Sequence, residues 1–102
     1  MYYTYMIRCK DNSIYTGIAK DLEKRMQEHF SQDEKCAKYT KSRKAIKLER
    51  AWETDNRVNA SKLEYRIKHL NKKQKEYLIN NPNSLETYFE DVLECNKYFA
   101  KK

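Results

Sequence analysis

A chain of 102 residues, 39% hydrophobic and 36% charged, has apolar surface for one small core, which excludes a large multidomain assembly. Its formal net charge of +7 points to a polyanionic partner, nucleic acid before an anionic membrane surface. No apolar run reaches membrane-spanning length and no signal peptide opens the chain, so the expectation is a soluble cytoplasmic protein with no membrane contact.

The charge is unevenly spread. Residues 1–81 hold 19 Lys+Arg against 11 Asp+Glu, a net +8, while residues 82–102 hold 3 against 4, a net −1. Cys9, Cys36 and Cys95 are widely spaced and form no Cys-x-x-Cys pair, and the two histidines complete no zinc pattern. They read as free thiols in a reducing compartment.

Tyr2 to Arg8 is rich in β-formers and predicts a strand, with Tyr3, Tyr5 and Ile7 on one face. Cys9 to Ser13 supplies turn chemistry, and Ile14 to Ile18 predicts an antiparallel second strand. Gly17, the one glycine, reads as a structural turn or bend, or as a point of close approach by a ligand or helix. Asp21 then caps a helix over about Leu22 to Phe30, with Leu22 and Met26 inward. At 100° per residue, Arg25 and His29 fall at the edge of that inward stripe. An amphipathic helix with a snorkelling Arg and a half-buried His would look the same.

Ser31 to Arg43 lacks a period and predicts a loop. Its Lys38, Tyr39, Thr40, Lys41 and Arg43 combine cations, hydroxyls and a ring suited to phosphate and base contact. Lys44 to Glu53 alternates as a third strand, with Ile46, Leu48 and Trp52 on one face and Arg50 interrupting it. Asp55 and Asn56 start a helix in which Ala60, Leu63, Ile67 and Leu70 recur at helical spacing. Glu64 lies beside that stripe; Ser61 and Glu64 also fit a capping box. The basic run Lys72, Lys73 and Lys75, assigned here to nucleic-acid contact, opens a further short helix stopped near Pro82. Asn83 and Glu86 fit a second capping box, and Leu85, Tyr88, Phe89, Val92 and Leu93 predict an amphipathic helix with an acidic outer face. Residues 84–99 are therefore the expected surface for a protein partner or self-association.

The expected fold class is α+β: a small three-stranded antiparallel sheet flanked by helices, with an extra C-terminal amphipathic helix. Residues 1–81 form the main domain, and residues 82–102 a helical extension packed on it. Tyr5, Tyr15, Arg25, His29 and Glu64 make a candidate polar cluster. Phosphodiester hydrolysis gives each a task. A phenolate or imidazole serves as general base, a guanidinium stabilises the phosphorane charge, and one carboxylate with several waters holds a hard divalent cation.

Tyr3-Thr4-Tyr5, Tyr15-Thr16-Gly17, Asp21 to Arg25, His29, Lys38-Tyr39-Thr40 and Glu64 resemble, in that order, the motifs of a GIY-YIG nuclease domain of the small stand-alone bacterial type. The first triplet keeps only its Tyr. The resemblance implies metal-dependent cleavage of DNA in repair or processing, structure-selective or weakly sequence-selective, with single-stranded or branched DNA among the substrates. It implies Tyr5 as general base or water-orienting group with His29 assisting, Tyr15 beside the water or phosphate, Arg25 on the phosphate, and Glu64 on a single Mg²⁺ or Mn²⁺. The competing reading is a nucleic-acid-binding module with weak or no catalysis.

Overall fold

The computed structural model describes residues 1–32 and 34–101. Asp33, in the stretch read as a loop, and Lys102, at the end of the extension, lie outside the described residues. The chain opens with a hairpin of β1 (Tyr2–Cys9) and β2 (Ile14–Ala19), paired antiparallel with Tyr5 opposite Gly17. Asn12 closes the turn at φ 70°, a conformation Asn tolerates better than most residues, and Asp11 accepts from the Ser13 amide. Helix α1 (Leu22–Phe30) starts where expected because the Asp21 side chain accepts from the Lys24 amide.

After α2 (Lys38–Arg43), strand β3 (Ala45–Thr54) pairs with the other edge of β1. Helices α3 (Arg57–Lys68), α4 (Lys72–Asn80) and α5 (Glu86–Phe89) follow. A 3-10 turn at Cys95–Lys97 then leads to β4 (Phe99–Ala100). The sheet runs β2-β1-β3-β4, antiparallel throughout. Both faces of central β1 are buried. Met6 packs with Trp52, Leu63, Ile67, Leu78 and Phe89 on the α3 side. Tyr5, Ile7 and Cys9 pack with Met26, Ala45 and Ala51 on the α1 side.

Four expectations are corrected. The sheet has four strands, not three. The stretch read as a loop contains α2, which lacks a side-chain cap and so left no signal in the sequence. In β3 the simple alternation fails. The pairing passes from Met6↔Arg50 to Ile7↔Leu48 and from Arg8↔Lys47 to Cys9↔Ala45, so β3 carries an extra residue at Glu49 and at Ile46. Each extra residue swaps the faces, and Ile46 ends 55% exposed while Trp52 is fully buried.

The C-terminal amphipathic helix is the fourth. Only Glu86–Phe89 is helical, and no side chain caps it, so the Asn83 box does not form. Glu86, Glu90 and Glu94 repel one another at four-residue spacing, which disfavours a longer helix. Leu85, Phe89 and Tyr98 enter the chain's own core, and Phe99 and Ala100 pair with Glu53 and Trp52 along the open edge of β3. Covering an exposed strand edge outweighs extending a short, acidic helix. The Ser61–Glu64 box is absent too, because α3 begins four residues earlier with Asn56 as its cap.

Two polar ties fix α4 to the sheet. Arg8 on β1 bonds Glu49 on β3 and grips both carboxylate oxygens of Glu76 on α4. Arg50, the interruption in the β3 pattern, donates from Nε to the Ile79 carbonyl at 2.6 Å.

Candidate active site

Tyr5 lies across the edge strand at its cross-strand partner Gly17. A β-carbon on Gly17 would stand 2.5 Å from the Tyr5 Oη, 2.7 Å from its Cζ and 3.0 Å from Tyr15 Cε2. Gly17 has no positive φ and sits inside β2, so the expected structural turn is corrected. The glycine is there to make room for a phenol.

The Tyr5 Oη reaches His29 Nε2 at 2.8 Å, and His29 Nδ1 reaches Thr40 Oγ1 at 2.8 Å. Thr40 in turn donates to the Ala37 carbonyl at 3.1 Å. A hydroxyl has one proton to give, so Thr40 accepts from Nδ1–H. Nε2 is then bare and accepts from Tyr5. The network thus assigns one tautomer, with every proton pointing from Tyr5 towards Ala37. Tyr5, His29 and Thr40 are all essentially inaccessible to solvent.

Burial pushes the Tyr5 phenol up to about 12, opposed by the nearby Arg25 guanidinium. Burial also pulls His29 down to about 4, helped by the Arg25 charge and opposed by Glu28. Both groups are therefore neutral at pH 7. Arg25, one turn before His29, donates from Nη1 to Glu28 at 2.8 Å and to the Lys35 carbonyl at 2.6 Å. Burial works against its charge, but Glu28 and Tyr5 outweigh that and hold its pKa above the ordinary arginine value.

His29 carries a stability consequence. On acidification the unfolded chain binds its imidazole proton near 6.5, while the folded chain resists until about 4. The neutral imidazole stabilises the fold fully above about 6.5 and loses that contribution as the pH falls towards 4. The expected loss is about 3 kcal/mol. Thermal unfolding of wild type and His29→Asn across this range checks it: the variant's midpoint should fall with a shallower slope.

Tyr15 joins the cluster, its ring 6.3 Å from Tyr5, 5.6 Å from His29 and 5.6 Å from Tyr39. The Arg43 guanidinium caps this row, 4.1 Å above the Tyr39 ring. Glu64 arrives from α3. Its charge is felt at the Tyr5 phenol, and it pairs with Lys68 at 3.5 Å. The Lys68 ammonium lies 5.8 Å from the Tyr15 ring centre. Tyr5, Tyr15, Arg25 and His29 therefore gather beside the middle of the hairpin, with Glu64 near enough for its charge to reach Tyr5.

Among the described residues no group of three or more His, Cys, Asp or Glu could hold a metal ion. Glu64 stands as a partly exposed carboxylate whose cation partner is the exposed Lys68. That donor set fits a hard, largely water-ligated divalent ion, not a caged one.

Of the expected nucleic-acid contacts, Lys38, Lys41, Lys72 and Lys73 are exposed, as is Arg43, which also pairs with Asp11. Lys75 is half-buried, and burial, with Lys68 and Lys72 nearby, lowers its pKa. Thr40 is corrected: it is wholly buried and engaged by His29. Thr40 as the imidazole's second partner, and Glu28 as Arg25's, went unread in the sequence, because each pairing depends on where α2 docks or which way a rotamer points.

Residues 1–89 match the GIY-YIG catalytic domain family. The chain is 48% identical to the UPF0213 protein FN1575 of Fusobacterium nucleatum over 101 residues, 99% of this chain and 96% of that one. It is 42% identical over 90 residues to the UPF0213 protein YsiG of Lactococcus lactis, covering 87% of this chain and 85% of that one. The solution NMR structure of the UPF0213 protein BH0048 from Bacillus halodurans aligns with a TM-score of 0.52 at 34% identity, covering 91% of this chain and 99% of that one. No helix among the described residues is long and apolar enough to cross a membrane.

Proposed function

The chain belongs to the GIY-YIG family, with UPF0213 proteins among its relatives, and from that premise we propose that it is a divalent-metal-dependent endonuclease hydrolysing DNA phosphodiester bonds in repair or processing. The observation that carries this reading is the buried Tyr5–His29–Thr40 relay, flanked by a guanidinium and with one carboxylate within electrostatic reach. A module that only binds DNA has no need of an oriented proton path beside a carboxylate.

The Tyr5 proton is committed to Nε2, so once substrate binding admits the attacking water to the buried phenol, its oxygen accepts a hydrogen bond from that water. As that water yields its proton to Tyr5, the Tyr5 proton passes to Nε2. The resulting imidazolium keeps its Nδ1–H on Thr40. Arg25, oriented by Glu28 and the Lys35 carbonyl, holds the phosphate and stabilises its growing charge. Tyr15 lines the same space. Glu64 would hold a single Mg²⁺ or Mn²⁺, which supplies Lewis acidity to the leaving 3′-oxygen when bound. Residues 1–81 carry this unit, and residues 82–102 complete its core through Leu85, Phe89 and Tyr98. Lys38, Lys41, Arg43, Lys72 and Lys73 supply the phosphate-facing charge.

The test is cleavage of single-stranded, branched and plain duplex DNA with Mg²⁺, Mn²⁺ or EDTA. Metal-dependent cleavage should fall by about 100-fold in Arg25→Ala and disappear in Glu64→Ala. Salt-sensitive binding with no cleavage of any substrate would replace the enzyme with a binding module.

A further inference from the structure

We propose that the outer face of α3 is a stacking site for unpaired DNA bases, built on Tyr65 and His69 among three cations; it rests on the DNA reading above. The inward face of α3 is Ala60, Leu63 and Ile67, all fully buried. Turning about 100° per residue away from that stripe, Glu64 and Lys68 come next and Tyr65 and His69 after them. The face furthest from the core would ordinarily be charged and featureless. Here Tyr65 is 56% exposed and Val58 is 62% exposed.

The platform is pre-organised. The Tyr65 and His69 rings lie 4.3 Å apart at a 42° tilt. His69 Nδ1–H donates to the Tyr65 carbonyl at 2.7 Å, which fixes the imidazole against the ring. The Arg66 guanidinium lies 5.6 Å over Tyr65. Arg57, Val58, Lys62, Tyr65, Arg66 and Val92 line a groove of about 520 Å³ here, and every charged residue in its wall is a cation.

Charge selects the occupant. Exposed rings offer their faces to bases, and the surrounding Arg57, Lys62 and Arg66 neutralise the phosphates between them. Glu90, Asp91 and Glu94 line the adjoining groove beyond Lys62 and repel the same backbone, so the strand is confined to the α3 side. That side leads round the helix to Glu64. A plain duplex keeps its bases stacked internally and gains nothing from Tyr65. The site therefore favours single-stranded or branched DNA whose unpaired strand leaves the reaction centre along α3.

The experiment uses the full chain in EDTA, so that no cleavage intervenes. Fluorescent 20-mer oligothymidylate, an abasic strand of equal length and a plain duplex are the probes. Tyr65→Ser should weaken oligothymidylate binding about tenfold and leave the abasic strand and duplex unchanged. Tyr65→Phe should bind as wild type. An unchanged oligothymidylate affinity, or an equal loss on all three probes, overturns the proposal. So does loss of self-association in sedimentation with DNA binding intact, which would make the face a protein contact. Failure of the nuclease reading is separable: it shows as absent metal-dependent cleavage, while the Tyr65 effect on binding persists.

Discussion

Tyr5→Phe is expected to cut turnover by about 10²- to 10⁴-fold while leaving DNA affinity near wild type. The ring stays over Gly17 and within the core of Ile7, Met26 and Ala51, so packing is retained. Only the hydroxyl leaves, and with it the link between an attacking water and His29. The variant pays a stability penalty as well, because Nε2 becomes a buried acceptor with no donor, at about 1–3 kcal/mol. Cleavage assays therefore belong well below the lowered unfolding midpoint. The kcat and KM values separate the readings. A drop in kcat alone supports the relay. Parallel losses of folding, binding and turnover would make Tyr5 a packing residue, and undiminished cleavage would move water activation to another group.

Much of this site was legible because its determinants are local. Asp21 capping, the Leu22–Met26 stripe and the wheel positions of Arg25 and His29 all follow from nine residues of helix, and the structure reproduces that helix end for end. What the wheel could not show is depth. It put His29 at the edge of the buried surface, yet docking of α2 seals it completely and gives it Thr40. Thr40 looked like a surface hydroxyl among lysines because nothing in Lys38-Tyr39-Thr40-Lys41 marks the helix that turns it inward. Glu64 was placed by its motif context, since a carboxylate on α3 reaches a β1 phenol only through the tertiary fold. Gly17 shows the same limit from the other side. Its need for space was readable, but the occupant of that space is set by cross-strand register, and Tyr5↔Gly17 exists only once the hairpin is paired. At the C-terminus, hydrophobic spacing suggested a helix, while the unpaired edge of β3 decided the outcome in favour of a strand.

Gly17→Ala should do nearly as much damage as Tyr5→Phe without touching a catalytic atom. Its β-carbon would lie 2.5 Å from Tyr5 Oη and 2.7 Å from Cζ, far inside van der Waals contact. A flexible side chain could yield, but Tyr5 is 1% exposed and its hydroxyl is held by His29, so the ring has no vacant place to enter. Forcing it aside costs about 1–3 kcal/mol of overpacking. It also separates Tyr5 from Nε2, adding the orphaned-acceptor penalty of about 1–3 kcal/mol. Reduced unfolded-chain entropy returns at most about 1 kcal/mol. The expected result is an unfolding midpoint lower by on the order of 10 °C, with turnover reduced towards the Tyr5→Phe level. A double-mutant cycle isolates the cause. Combining Gly17→Ala with Tyr5→Leu should cost less stability than the two changes summed, since the smaller side chain clears the β-carbon, yet cleavage should stay absent because the hydroxyl is gone. Additive stability losses would place the Gly17 effect in the backbone, and an active, stable Gly17→Ala would show that the phenol can slide without leaving its relay.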